Sequence, residues 1–201
     1  MGYDKKKWEK RTHNRSDMST HLVHLTKAAN GLNEVEVLLK ILGDKKIKGS
    51  GNGGFVIGDQ RAACFQDTPL YGVSQNVYHE AIYREELGGK KRYSAVGLSF
   101  YKPYVYRKGG RPCLYEQTSI AKKILPSEEW WRIVAFDLSN TDKILDWTHE
   151  REWRVKGDFE FEVDKVTVLL SHIDQYRYFM KNTDKEMLEQ LQGIVILSLV
   201  L

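Results

Sequence analysis

The chain has 201 residues, 41% of them hydrophobic and 29% charged, with a formal net charge of +4. That is too apolar for wholesale disorder and long enough for one large domain, which we place at residues 21–201 behind a basic flexible arm at 1–20. The mild positive excess favours an anionic ligand or nucleic acid without demanding either, and the apolar run at 194–201 is too short to cross a bilayer. Cys64 and Cys113 are the only two cysteines. Without a CxxC spacing they suggest neither a zinc knuckle nor a disulfide framework, and they suit a reducing cytoplasm. The charged N-terminus lacks an apolar core of signal length, so the expectation is a cytoplasmic protein that does not enter membranes.

Residues 1–20 carry Lys5, Lys6, Lys7, Lys10, Arg11 and Arg15 around Trp8 with no apolar periodicity. They read as a mobile arm or short helix, either contacting phosphates or only solubilising the terminus. Residues 21–27 alternate as a first strand, covered on both sides unless Leu22 and Leu25 share a face. Asn33 is placed to cap a helix over 34–42, with Val35, Leu38, Leu39 and Leu42 on its apolar face and Glu34 and Glu36 at its positive end. The glycine-rich stretch 48–54 lacks a phosphate-loop signature and reads as a flexible loop. A strand at 61–65 ends in the turn Asp67-Thr68-Pro69, and helical spacing over 74–87 stops at Gly88-Gly89.

The span 93–101 is the clearest strand of the middle, and Gly97 within it marks a bulge or a close backbone approach. Lys102-Pro103 breaks it, Gly109-Gly110 turns the chain, and extended structure resumes at 112–115. A helix follows at 116–125, then a cap near Ser127 and a strand within 132–138. Residues 147–156 form a strand entered through acids. Alternation puts Glu150 and Glu152 on one face and Arg151 and Trp153 on the other, which is either a site or a solvated edge. With 159–161 and 166–170 it forms an antiparallel meander, because Gly157-Asp158 and Asp164-Lys165 are turn signals. A helix near 184–192 and a buried strand at 194–201 close the chain. The class is α+β, with helices mainly in the N-terminal half.

No GxSxG elbow is present, and His13, His21, His24, His79, His149 and His172 show no metal-binding spacing. His21 and His24 fall on opposite faces of their strand.

Four motifs carry a resemblance: His24-Leu25-Thr26; Cys64-Phe65-Gln66-Asp67-Thr68-Pro69-Leu70; Ser99-Phe100-Tyr101 leading to Pro112-Cys113-Leu114-Tyr115; and His149-Glu150-Arg151-Glu152-Trp153-Arg154. In these the chain resembles the AbiGi-like family of phage-resistance proteins and, more remotely, the DNA ADP-ribosyltransferase toxins. The resemblance implies an ADP-ribosyltransferase-like fold of split antiparallel β-sheets and NAD as substrate. It implies action in abortive infection or phage–host conflict, on a nucleic-acid or protein acceptor or simply on water, within a toxin–antitoxin context. Carried over, Glu152 is the catalytic acid and Glu150 orients the acceptor or takes its proton. His24 and Thr26 fix NAD, Tyr101 packs on the nicotinamide in competition with Tyr104, Tyr106 and Tyr115, and Arg61 or Arg154 meets the pyrophosphate. A carboxylate in that place stabilises the oxocarbenium-like state formed as nicotinamide leaves. Two further readings stand beside the enzyme: a non-catalytic interaction or antitoxin-type protein, and a nucleic-acid binder using the basic arm.

Overall fold

The structure, a computed structural model, describes residues 2–51, 55–86, 89 and 94–199. Its helices are α1 (Lys5–His13), α2 (Glu34–Asp44), α3 (Leu70–Ile82), α4 (Lys102–Arg107), α5 (Thr118–Ile124), α6 (Ile173–Asn182) and α7 (Lys185–Gln190). The strands are β1 (His21–Leu25), β2 (Lys46–Ile47), β3 (Ala62–Gln66), β4 (Gly97–Tyr101), β5 (Arg111–Pro112), β6 (Leu114–Glu116), β7 (Ile133–Ala135), β8 (Glu152–Lys156), β9 (Phe159–Glu160), β10 (Val166–Leu170) and β11 (Gly193–Ile196). The class is α+β, with mostly antiparallel pairing. The chain divides into two compact units. One comprises Met1–Lys46, Thr68–Tyr101 and Phe161–Leu201; the other comprises Ile47–Asp67 and Lys102–Glu160.

In the first unit the strands run in the order β11-β10-β4-β1, antiparallel except for the parallel β10–β11 pair. Leu22 and Val23 are adjacent on β1 and both fully buried, so apolar groups cover both faces of this strand. Val23 and Leu169 pack with Val73 of α3 and Leu197, backed by Leu70 and Val195. Helix α3 begins four residues before the predicted start at 74, directly after Pro69. Burying Leu70 and Val73 rewards that extra turn. The predicted stop at Gly88, the start of the strand at 93 and the chain end at 200–201 lie outside the described residues.

Helix α2 matches its prediction at the N-terminus: Asn33 Oδ1 accepts from the amides of Val35 and Glu36, and Glu36 returns a bond to the Asn33 amide. Val35, Leu38 and Leu42 are its buried residues. Gln175 and Tyr178 of α6 donate to Glu34 and Glu36. Because Asn33 satisfies two amides that the helix cannot, Asn33→Ala is expected to cost about 1 kcal/mol, read as a lower midpoint of urea unfolding at unchanged slope.

Residues 5–13 are a capped helix, the second of the two forms that the sequence allowed for this arm. Asp4 caps it, and it docks through Tyr101, whose hydroxyl donates to Glu9 at 2.7 Å while the Trp8 ring packs edge-on against the tyrosine. Lys6, Lys7, Lys10 and Arg11 remain exposed.

In the second unit β3, β8 and β5 form an antiparallel sheet in that order, and β6 pairs with β7 in parallel. One face of the sheet is apolar: Ala63, Phe65 and Val155 are buried, and Phe65 meets Phe159 edge-on, as does Tyr104. At the end of β8, Gly157 adopts a positive φ, and a Cβ on Gly49 would lie 2.3 Å from the Gly157 carbonyl oxygen. Only glycine allows that contact at position 49.

The expected meander is not formed. β8 bonds to β3 and β5, whereas β10 bonds to β4 and β11. The turn residues reverse the chain locally but do not decide which strands pair. Nor are the helices concentrated in the N-terminal half, since α6 and α7 follow the last long strand.

Candidate functional site

The approach to β8 differs from a uniform strand. Residues Thr148–Glu150 form a single 3₁₀ turn, with Asp146 accepting from the Thr148 amide. Arg151 then takes a left-handed conformation at φ 47°, and the strand begins at Glu152. A positive φ is uncommon for a non-glycine residue. Here it is held by the Asp67 amide, which bonds to the carbonyls of both Glu150 and Arg151. Strand alternation therefore does not reach back past Glu152, and it does not align Glu150 with Glu152. The same-face partner of Glu152 is Arg154.

Those two side chains make a bidentate pair. Arg154 Nε donates to Glu152 Oε1 at 2.8 Å and Nη2 to Oε2 at 3.0 Å. The guanidinium is 1% exposed and Glu152 is 8% exposed. The other N–H groups of Arg154 go to the carbonyls of Trp131, Ile133 and Phe55, so its donors are fully used. Burial works against the charge, yet the adjacent Glu152 carboxylate raises the guanidinium above its ordinary pKa by charge and by hydrogen bond. With nothing left to donate, Arg154 is a structural hub and not the pyrophosphate ligand that the sequence allowed.

Around the pair lies the polar face of the β3–β8–β5 sheet. Cys64 stands opposite Arg154 and Gln66 opposite Glu152, while the Cys113 amide donates to the Glu152 carbonyl. Burial pushes both thiols up, and the Glu152 charge adds to it. They stay protonated at neutral pH and are poor nucleophiles. Burial likewise raises the Tyr115 hydroxyl, whose oxygen accepts from the Glu152 amide at 2.5 Å. That contact commits Tyr115 to the strand backbone. The Oε1 of Gln66 and the Nε1 of Trp131 are buried without a partner among the described residues. The sequence motif includes Gln66, but its pairing register with Glu152 cannot be read from the sequence.

The remaining expected site residues have varied settings. Arg61 donates to the Gly49 carbonyl and to Asp158, with more than half of its side chain exposed. In the first unit, Thr26 is buried, its hydroxyl shared between the carbonyls of Glu34 and Val96. It closes the end of the β1–β4 ladder and has no free hydrogen for a ligand. His24 is half-buried on β1 opposite Leu98, and Tyr101 is opposite His21. Because side chains alternate, His24 and Tyr101 project from opposite faces of one sheet and cannot line the same pocket. Tyr101 serves the docking of α1.

Beside His21 on its own face is a cavity of about 160 Å³, bordered by Ser19, Ser99, Thr167 and Leu70, which is well below the roughly 300 Å³ at which sites for larger ligands begin. Among the described residues, no cluster of acids, histidines and cysteines could hold a metal ion, and no helix is long and apolar enough to cross a membrane. Set against family models, curated proteins and solved structures, the chain has no match.

Proposed function

We propose that the protein cleaves the bond between ribose and nicotinamide in NAD, passing ADP-ribose to an acceptor or to water, and that it does so in phage defence. The observation supporting this is the state of Glu152: a carboxylate at the mouth of a strand, held in one orientation by a guanidinium engaged entirely within the protein. The reaction breaks the C1′–N bond, and the electron pair leaves with nicotinamide. The growing positive charge on the ribose is stabilised by a carboxylate that needs no reorganisation. An acceptor hydroxyl or water then attacks C1′, and its proton passes to Glu150 in the adjacent 3₁₀ turn. Arg154 offsets part of the Glu152 charge while fixing its position. The reading keeps Glu152, Glu150 and Arg61, all of the second unit, as its residues and no longer rests on His24, Thr26, Tyr101 or Arg154 for contact with NAD.

The test is nicotinamide release from labelled NAD. Glu152→Gln is expected to slow it on the order of 10²–10³-fold, and Glu150→Gln, which leaves the buried pair intact, on the order of 10²-fold. Wild-type protein that releases no nicotinamide, or release undiminished in both variants, would refute the reading.

A second reading, a non-catalytic interaction protein of an abortive-infection system, is favoured by the completeness of the Glu152–Arg154 pair, which is also what a purely structural cluster needs. It expects a partner whose capture survives Glu152→Gln.

A further inference from the structure

We infer that Gln66 reads the substrate: its amide oxygen and the Glu152 carboxylate together accept the hydroxyl protons of a vicinal cis-diol, such as that of a ribose. This rests on the reading of Glu152 as the acid of an NAD site.

Gln66 and Glu152 are direct partners across the antiparallel β3–β8 pair, so their side chains leave the sheet on the same face with Cβ atoms about 5 Å apart. Gln66 is 7% exposed, and its Oε1 has no donor among the described residues. A buried acceptor without a donor is rare in folded proteins and unfavourable to keep. The neighbouring side chains do not supply one. Glu152 offers only acceptors when ionised, every N–H of Arg154 is engaged elsewhere, and the Cys64 thiol is directed to the Ala62 carbonyl. The inference assigns the missing hydrogen to a bound molecule.

Two acceptors side by side select a ligand with two adjacent donors. Arg154 already balances the Glu152 carboxylate, so no second cation is needed and the donors are neutral. Two hydroxyls on neighbouring carbons meet both conditions, because each can rotate its proton toward the protein. The carboxylate has lone pairs left for one of them after Arg154 has taken two. Cys64, Cys113 and Tyr115, which border this face, are half-buried.

The experiment compares equilibrium binding of nicotinamide mononucleotide and its 2′,3′-dideoxy analogue to the full chain and to Gln66→Met, a variant of similar shape without the amide. Wild type is expected to prefer the diol at least tenfold. The variant should reduce that preference about tenfold, bind the dideoxy compound as wild type does, and melt at the same temperature or higher when unliganded. An unchanged preference, equal weakening of both ligands, or a lower melting temperature would each overturn the inference. If wild type still releases nicotinamide from NAD in that event, only the role of Gln66 fails; if it neither binds the mononucleotide nor releases nicotinamide, the NAD reading fails with it.

Discussion

Replacing Arg154 with Met is expected to destabilise the protein by about 3–5 kcal/mol, the usual cost of stranding one member of a buried ion pair. Three effects combine. The Glu152 carboxylate, 8% exposed, loses its bidentate partner. The carbonyls of Trp131 and Ile133 lose the donor they share, at 2.8 and 3.1 Å. The carbonyl of Phe55 loses a weaker contact at 3.4 Å. Arg154→Lys should recover only part, because an ammonium cannot present the planar fork that meets both carboxylate oxygens while also reaching two segments behind it. The double variant Glu152→Met with Arg154→Met removes the stranded charge and should lie closer to wild type than Arg154→Met alone. Urea unfolding of the four proteins measures this, and an Arg154→Met variant within about 1 kcal/mol of wild type would contradict a central role for the pair.

Gly97→Ala is the second large effect. A Cβ at that position would stand 2.1 Å from the His24 carbonyl oxygen and 3.0 Å from its carbon. Both are backbone atoms of β1, which cannot step aside without disturbing the β1–β4 ladder and the adjacent bond from the Thr26 amide to the Val96 carbonyl at 2.7 Å. Overpacking of this kind costs about 3 kcal/mol or more when rigid groups collide. Loss of protection of the His24 and Leu25 region in hydrogen exchange should accompany the lower unfolding midpoint. Gly193→Ala is the control: nothing lies within 4 Å of a Cβ there, so a small change of either sign is expected. If Gly97→Ala behaves like the control, the close approach of the two strands is wrong.

Local features were legible in the sequence because their causes are local. Asn33 marks an N-cap whatever the rest of the chain does, and Gly97 within its strand signalled a bulge or a close backbone approach, of which the structure has the approach, to β1. Gly157 marked a turn and makes one. The features that were not legible depend on distant partners or on special backbone conformations. An arginine with a positive φ has no sequence signature, so Arg151 made the spacing of Glu150 and Glu152 look like a shared face. The charges on β8 left a site and a solvated edge equally open, because the carbonyls of Phe55, Trp131 and Ile133 that make burial of Arg154 tolerable lie far away in sequence. Helix α6 was not expected: its apolar stripe of Ile173, Tyr176, Phe179 and Met180 is short and set among charges, and of its residues only Phe179 is buried. For the candidate site, the resemblance supplied Glu152 and Arg154, while the place of Gln66 opposite Glu152 became evident only from the register of β3 against β8.

The hub around Arg154 also bears on how the polypeptide matures. Phe55 precedes Arg154 by 99 residues, and each compact unit is assembled from separated stretches, so no continuous fragment contains either unit alone. On the ribosome, β3 emerges long before the strand that completes its sheet. Until β8 is synthesised, the polar face of β3 lacks its central partner, and the acid proposed to act on NAD is not yet part of the chain.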